Sequence, residues 1–372
     1  MLLVSERLIR DGGTALVYFL MVLLALTAVT LRELGNRFSN RTSREVTVTD
    51  TMQQVQLVEW GGPEVLHLAE VPVPEPVRGH VVVRVQAAGV NPIDTTTRKG
   101  LGPAAQLADT SKPVVLGWDI AGVVTAVAGD YTGFAVGDRV FGMVNFPVLG
   151  NTYAQYALVP AYQLAHAPDN VPMEQLGAAP LAALTAYQAL FEVARLAAGE
   201  RILIHAGTGG VGHMAIQLAA AAGAQVYTTA SARNREFVES LGAVCIDYTS
   251  EDFREALADD GEHIDVVLNS TGAQTFLDSL DVLAPADRIF APAGRIVTLT
   301  SPDPLEAARE RGFTAQWLTV HPDAGQLTKI AHYLQEGTLR VHLDRVFPLA
   351  EAAAAHEYIE QRHARGKVVL VP

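Results

Sequence analysis

The chain has 372 residues, 49% of them hydrophobic and 18% charged, with 31 glycines and 19 prolines. That balance describes a compact globular protein of two or three domains and excludes disordered, collagen-like and disulfide-stapled classes. Lysine and arginine number 27 against 40 acidic residues, and the formal net charge of -13 opposes a phosphate backbone, so nucleic acid is excluded as a partner. Cys245 is the only cysteine, which rules out an intrachain disulfide and a structural zinc site built from several cysteines.

The stretch from Ala15 to Leu31 carries no charge and lies at the short end of what spans a bilayer. Arg32, Arg37, Arg41 and Arg44 follow it while only Arg7 and Arg10 precede it, so as a signal anchor it would leave the rest of the chain in the cytoplasm. A cleaved signal peptide fits less well, because Glu6 and Asp11 dilute the basic region and no small-residue cleavage site follows. Equally open is a start-site artefact, with Met52 beginning the working protein. Asn36 to Thr51 is polar and aperiodic and reads as a linker.

From Gln53 short β-branched runs alternate with glycine and proline: VQLVEW, VVVRVQAAGV, VVLGWDIAGVVTAV, DRVFGMV and YAQYALV. This predicts a β-rich unit. After Pro172 helical stretches, MEQLGAAPLAALTAYQALFEVA and HMAIQLAAAA, alternate with apolar strands RILIHA, AQVYTTA, IDVVLNS and GRIVTLT. Strand and helix in succession predict an α/β doubly wound parallel sheet. Beyond Ala324 come an amphipathic helix in QLTKIAHYLQEG, a strand LDRVFP, a helix in LAEAAAAHEYIEQ and a last strand KVVLVP.

Gly207, Gly209 and Gly212 satisfy GxGxxG between the strand RILIHA and the helix HMAIQLAAAA, the context in which that pattern binds a dinucleotide. The first glycine permits the turn, the second admits the pyrophosphate to the backbone, and the third lets helix and strand pack closely. Backbone N–H groups at the helix start then face the anion. After the next strand, where an NAD site places a carboxylate, stand Ser231, Ala232, Arg233 and Asn234. Ser231 and Asn234 can donate to a 2'-phosphate and Arg233 can pair with it, so NADP(H) is favoured. Ser231 and Asn234 can also cap the helix in NREFVESLG, which weighs on Asn234 more than on Arg233.

The motifs AAGVNPIDTTTRKG, PVVLGWDIAGVV, VGDRVFG, LTAYQAL, HAGTGGVGHMAIQLA, TTASARN, LGAVCIDY and the closing FPLAEAAAAHEYIEQRHARGKVVLVP together resemble the medium-chain dehydrogenase/reductase superfamily. The likeness is to its zinc-independent quinone oxidoreductase and enoyl reductase-like branch and runs from about Met52 to Pro372. It implies a GroES-like substrate domain of residues 52–174 and 324–372, a Rossmann domain of residues 175–323 inserted between them, an extension of residues 1–51, and a homodimer through edge strands of the nucleotide domain. Zinc-dependent relatives have a cysteine where this chain has Asn91 and Gly-His-Glu where it has Gly117, Trp118 and Asp119, so no metal is expected. His356 and His363 fall on a helix, as a solvated face or packing positions.

By the resemblance, Asn91 lies beside the nicotinamide and substrate, and Thr185 under the nicotinamide side. Thr208, Gly209, Gly210 and Val211 hold the pyrophosphate, Ser231 and Arg233 the 2'-phosphate with Tyr248 at the same end, and Thr271, Leu299 and Thr300 the nicotinamide ribose and carboxamide. Arg362 and Lys367 are further phosphate contacts. Asp94 is structural. Thr96 stands where many quinone reductases of the branch have an aromatic residue, which weakens quinone as the natural acceptor. The implied activity is NADPH-dependent hydride transfer to a quinone or an activated double bond, with water supplying the proton. The alternative is an NADPH-binding protein with little turnover, a membrane-tethered sensor or a structural protein. Alcohol oxidation is disfavoured because no metal lowers the alcohol's pKa.

Overall fold

The computed structural model describes residues 51–129, 133–258, 263–285 and 293–372. The apolar run of residues 15–31 lies outside them. No helix among the described residues is long and apolar enough to cross a membrane.

Strands β1 (Thr51–Gln56) and β2 (His67–Pro72) form an antiparallel pair. β3 (His80–Val90), β4 (Asp119–Val127), β5 (Arg139–Met143), β6 (Tyr156–Pro160) and β7 (Leu164–His166) follow. The parallel sheet contains β8 (Arg201–Ile204), β9 (Gln225–Ala230), β10 (Ala243–Asp247), β11 (Val266–Asn269), β12 (Arg295–Thr298) and β13 (Thr314–Trp317), in the spatial order β10-β9-β8-β11-β12-β13. The order reverses direction beside β8, and in doubly wound sheets ligands bind at that switch point, past the carboxyl ends of the strands. β14 (Leu343–Pro348) and β15 (Lys367–Val371) return to the first sheet, β15 running antiparallel to β3. β3 to β7, before the α/β unit, and β14 and β15, after it, thus share one sheet, with the α/β unit inserted between them.

The central strands β8 and β11 of the parallel sheet are short runs of buried residues, RILI and VVLN, because helices cover both faces, whereas the edge strand β13 is mostly exposed. The core is continuous from Trp118, Phe141 and Met143 through Leu176 and Leu184 to Ile204 and Met214, which ties the two sheets together.

Three expectations change. The stretch MEQLGAAPLAALTAYQALFEVA is no single helix: it breaks into Met173–Ala178, Pro180–Tyr187 and a π-helical turn Gln188–Val193, because Pro180 has no N–H to continue the ladder. The first of these pieces crosses the expected boundary at residue 174. It lies so close to β3 that a Cβ on Gly177 would come within 2.6 Å of the Ala87 carbonyl oxygen. Between β3 and β4 a short helix also forms at Gly102–Leu107. His363 lies beyond the last helix, Ala352–Glu360, whereas His356 is fully buried within it.

Candidate active site

The glycine-rich turn leaves β8 through Ala206 (φ 54°) and enters the helix Gly212–Ala221. A Cβ on Gly207 would strike Thr228 Oγ1 of β9, and one on Gly212 would strike the Ala206 carbonyl. These two glycines are demanded by packing. Gly209 differs: its nearest obstacle is the Ala206 oxygen at 3.3 Å, so a ligand can approach the backbone there. No side chain caps the start of the following helix; His213 N donates to the Gly209 carbonyl at 3.1 Å, and the helix start presents its positive end to an anion. Open backbone, crowded flanking glycines and the positive helix end fit a dinucleotide pyrophosphate, and Thr208, Gly210 and Val211 lie in this turn.

At the end of β9, Asn234 Nδ2 donates to Ser231 Oγ at 3.2 Å, and Asn234 is buried while Arg233 is exposed. Asn234 therefore braces the turn and Arg233 projects from it. Tyr248, 62% exposed, sits beside them because its N–H donates to the Ala230 carbonyl at 3.2 Å. Asp247, which sequence reasoning missed, is the local organiser: its carboxylate accepts from Ala232 N at 3.1 Å and from Thr249 Oγ1 at 2.7 Å. The Thr249 bonds hold its pKa below the usual range. Arg365 lies over the Phe237 ring at 5.3 Å and adds a second guanidinium near the helix that follows Arg233. Arg362, expected at the phosphates, is exposed at φ 57°.

The ends of β11 and β12 bring Thr271, Leu299 and Thr300 together through buried Asn269, also missed from sequence. Asn269 accepts from Thr271 Oγ1 at 2.9 Å, its carbonyl accepts from Leu299 N at 2.9 Å, and its Nδ2 lies 3.4 Å from Thr298 Oγ1. Thr298 Oγ1 in turn meets Thr300 Oγ1 at 3.2 Å. Thr185 is buried at 6% exposure, and its hydroxyl donates to the Leu181 carbonyl at 2.6 Å.

The densest polar cluster surrounds Asn91, Asp119 and Lys367, none more than 3% exposed. Asn91 Nδ2 donates to Asp119 Oδ2 at 2.9 Å, Lys367 Nζ donates to Asn91 Oδ1, and Lys367 Nζ lies 3.5 Å from Asp119 Oδ2. Burial pushes the Asp119 carboxyl up and the Lys367 ammonium down, and the attraction between them opposes both shifts. Lys367, expected at a phosphate, directs its ammonium at Asn91 and Asp119. Only its stem passes the glycine-rich turn, with Cδ 3.0 Å from where a Gly210 Cβ would stand.

Asp94 is a structural acceptor: its two oxygens take Asn91 N at 2.8 Å and Gly117 N at 3.0 Å. Burial lifts its pKa to about 7, against the pull of the Asn91 hydrogen bond. Behind it, Arg98 Nη1 approaches His356 Nδ1 at 3.4 Å and Tyr153 Oη approaches His356 Nε2 at 3.2 Å. Arginine can only donate, so His356 is protonated at Nε2 and gives that hydrogen to Tyr153. Arg98 closes the chain on Glu360 at 2.8 Å. This network locks the helix Ala352–Glu360 against the helix Pro92–Arg98 and so holds Asn91 in place.

Among the described residues no group of histidine, cysteine and carboxylate side chains could hold a metal ion. Residues 77–169 match the alcohol dehydrogenase GroES-like domain, and residues 241–370 match the zinc-binding dehydrogenase domain. The chain is 34% identical over 331 residues to a quinone oxidoreductase of Pseudomonas aeruginosa, covering 86% of this chain and 99% of that protein. An NADPH-dependent alkenal/one oxidoreductase of Arabidopsis thaliana chloroplasts is 33% identical, covering 84% of this chain and 78% of the relative. Among solved structures, the quinone oxidoreductase of Coxiella burnetii superposes with a TM-score of 0.80 at 35% identity, covering 87% of this chain and 99% of that one. With an α/β unit inserted between β7 and β14 of a largely antiparallel sheet, and with asparagine where a zinc ligand would stand, the chain belongs to the medium-chain dehydrogenase/reductase superfamily, as a pyridine nucleotide-dependent oxidoreductase of its zinc-independent quinone oxidoreductase and enoyl reductase-like branch.

Proposed function

We propose that the protein reduces an activated carbon–carbon double bond or a quinone at the expense of NADPH, in a body divided into residues 52–174 with 324–372 and an inserted nucleotide domain of residues 175–323. The observation that carries this reading is the meeting of the dinucleotide turn with the Asn91 cluster. Gly366 N donates to the Thr208 carbonyl at 2.7 Å, and the next residue, Lys367, donates to Asn91. A carboxamide is thus held within one side chain of a pyrophosphate cradle.

NADPH, when bound, supplies a hydride. The turn Gly207–Gly212 would hold its pyrophosphate, Ser231, Arg233, Asn234 and Tyr248 its 2'-phosphate end, and Thr185, Thr271, Leu299 and Thr300 its nicotinamide end. An enone that gains hydride at its β-carbon shifts an electron pair to the carbonyl oxygen, and that oxygen then needs a hydrogen-bond donor. Among the described residues nothing takes the second N–H of Asn91 Nδ2, which leaves it for the oxyanion. Water delivers the proton that completes the reduction. Apart from this donor, the protein contributes by positioning and by excluding solvent. A quinone uses the same donor for its hydroquinone oxyanion. β13 lies at an edge of the parallel sheet with Trp317 47% exposed, and we assign the homodimer contact to that edge.

Selectivity for NADPH rests on Arg233. Arg233→Ala is expected to raise KM for NADPH by about 10- to 100-fold, the range lost with a charge-assisted phosphate contact, and to leave KM for NADH nearly unchanged. Steady-state kinetics with both cofactors checks this; equal changes would take the 2'-phosphate away from Arg233.

A further inference from the structure

We infer that Lys367 is a positioning residue that, with Asp119, locks the Asn91 carboxamide in the one orientation that presents an N–H to the acceptor's oxyanion. The inference rests on the reductase reading above. A carboxamide rotated by 180° exchanges its donor end for its acceptor end, and the wrong orientation would aim a lone pair at growing negative charge. A lysine ammonium can only donate and an ionised carboxylate can only accept. The Asn91 oxygen must therefore face Lys367 Nζ, and its nitrogen must face Asp119 Oδ2, 2.9 Å away. Leu181 N holds the other Asp119 oxygen at 2.6 Å, so the acceptor is itself fixed.

Lys367 is fixed from behind. Its N–H donates to the His342 carbonyl at 2.9 Å, and Gly366 before it has φ 78° with no room for a Cβ against His342. Each member of the triangle is 3% exposed or less, so water cannot substitute for a missing partner. The ammonium on Oδ1 also draws electron density from the amide, which makes the remaining N–H a stronger donor. Lys367 acts through Asn91 and needs no contact with the substrate.

The test compares the unmodified protein with Lys367→Met, Lys367→Arg and the double variant Lys367→Met/Asp119→Asn. It measures kcat with an enone, NADPH affinity by fluorescence, affinity for 4-nitrophenolate as a ground-state oxyanion probe, and the melting temperature. Lys367→Met should lower kcat by about 10- to 100-fold, the scale of losing an aligned oxyanion donor, and weaken 4-nitrophenolate by about tenfold, with NADPH affinity changed less than about threefold. Lys367→Arg, which keeps a donor, should recover part of kcat. Lys367→Met also strands the Asp119 charge and destabilises the fold. The double variant removes both charges and should regain melting temperature without regaining kcat.

Recovery of kcat together with stability in the double variant would reduce Lys367 to a structural charge and overturn the inference. A fall in NADPH affinity as large as the fall in kcat would overturn it in favour of a phosphate contact. Absence of turnover in the unmodified protein would remove the reductase reading, and the positioning role with it.

Discussion

Asn91→Ala is expected to lower kcat for an enone or a quinone by about 10²- to 10³-fold, the usual cost of deleting one oxyanion donor from a site that excludes water. NADPH affinity should hardly change. The split follows from the geometry: the Asn91 carboxamide is bonded to Asp119 and Lys367, and it is the Lys367 stem that passes the glycine-rich turn. Its N–H meets full negative charge only after hydride transfer, so the interaction is stronger in the transition state than in the bound substrate. The backbone of Asn91 stays anchored on Asp94, and the variant should fold. Kinetics over a range of acceptor concentrations checks this; a higher KM with unchanged kcat would mean that Asn91 only binds substrate.

The second large effect is acid instability. Burial lowers the pKa of His205 to about 4, of His213 to about 4 and of His356 to about 3, against an ordinary value near 6.5. As pH falls below about 6.5 the unfolded chain takes up protons that the folded chain refuses. Each histidine then costs about 1.4 kcal/mol of stability per pH unit, until its folded pKa is passed. The full cost is on the order of 3 to 5 kcal/mol per histidine. Asp94, raised to about 7, and Asp119, also raised, act in the opposite sense. Both are protonated more readily in the folded state and offset part of the loss. Three histidines against two carboxylates leave a net fall on the order of 1 kcal/mol per unit below about pH 6. Denaturant unfolding at steps between pH 7 and pH 4.5 measures it, and stability that is flat or rising across that range would refute it. His205→Gln can keep the partners Thr229 and Ser279 but cannot charge, so it should flatten the slope by about one proton.

Much of the fold was legible because its signals are local. RILIHA, AQVYTTA, IDVVLNS and GRIVTLT stand out as strands, since residues buried on both faces read as unbroken apolar runs. The spacing of Gly207, Gly209 and Gly212 registers a packing demand that the Thr228 and Ala206 contacts make concrete. Pro180, by contrast, carried its warning in plain sight, and the helix breaks there. Asp247 and Asn269 escaped notice because their importance lies in which backbone amides and hydroxyls their oxygens collect, a property of strand ends adjacent in the sheet. Lys367 lies 276 residues from Asn91 along the chain. The closing RGKVVLVP marks it as near the cofactor, but only the antiparallel pairing of β15 with β3 brings its ammonium to the carboxamide that follows β3. His356 shows the same limit. Its helical spacing fitted a packing position, yet its partners Tyr153 and Arg98 lie 203 and 258 residues away.

Hydride transfer from the nicotinamide to carbon is the central claim, and isotope labelling tests it most directly. The protein would be incubated with an α,β-unsaturated ketone and NADPH deuterated at nicotinamide C4, separately on each face, and the reduced ketone analysed by mass spectrometry and NMR. One deuterium at the β-carbon from one labelled face, with the α-hydrogen drawn from water, is the predicted result. Bound NADPH with no reduced ketone, or a β-hydrogen that comes from water, would contradict the account.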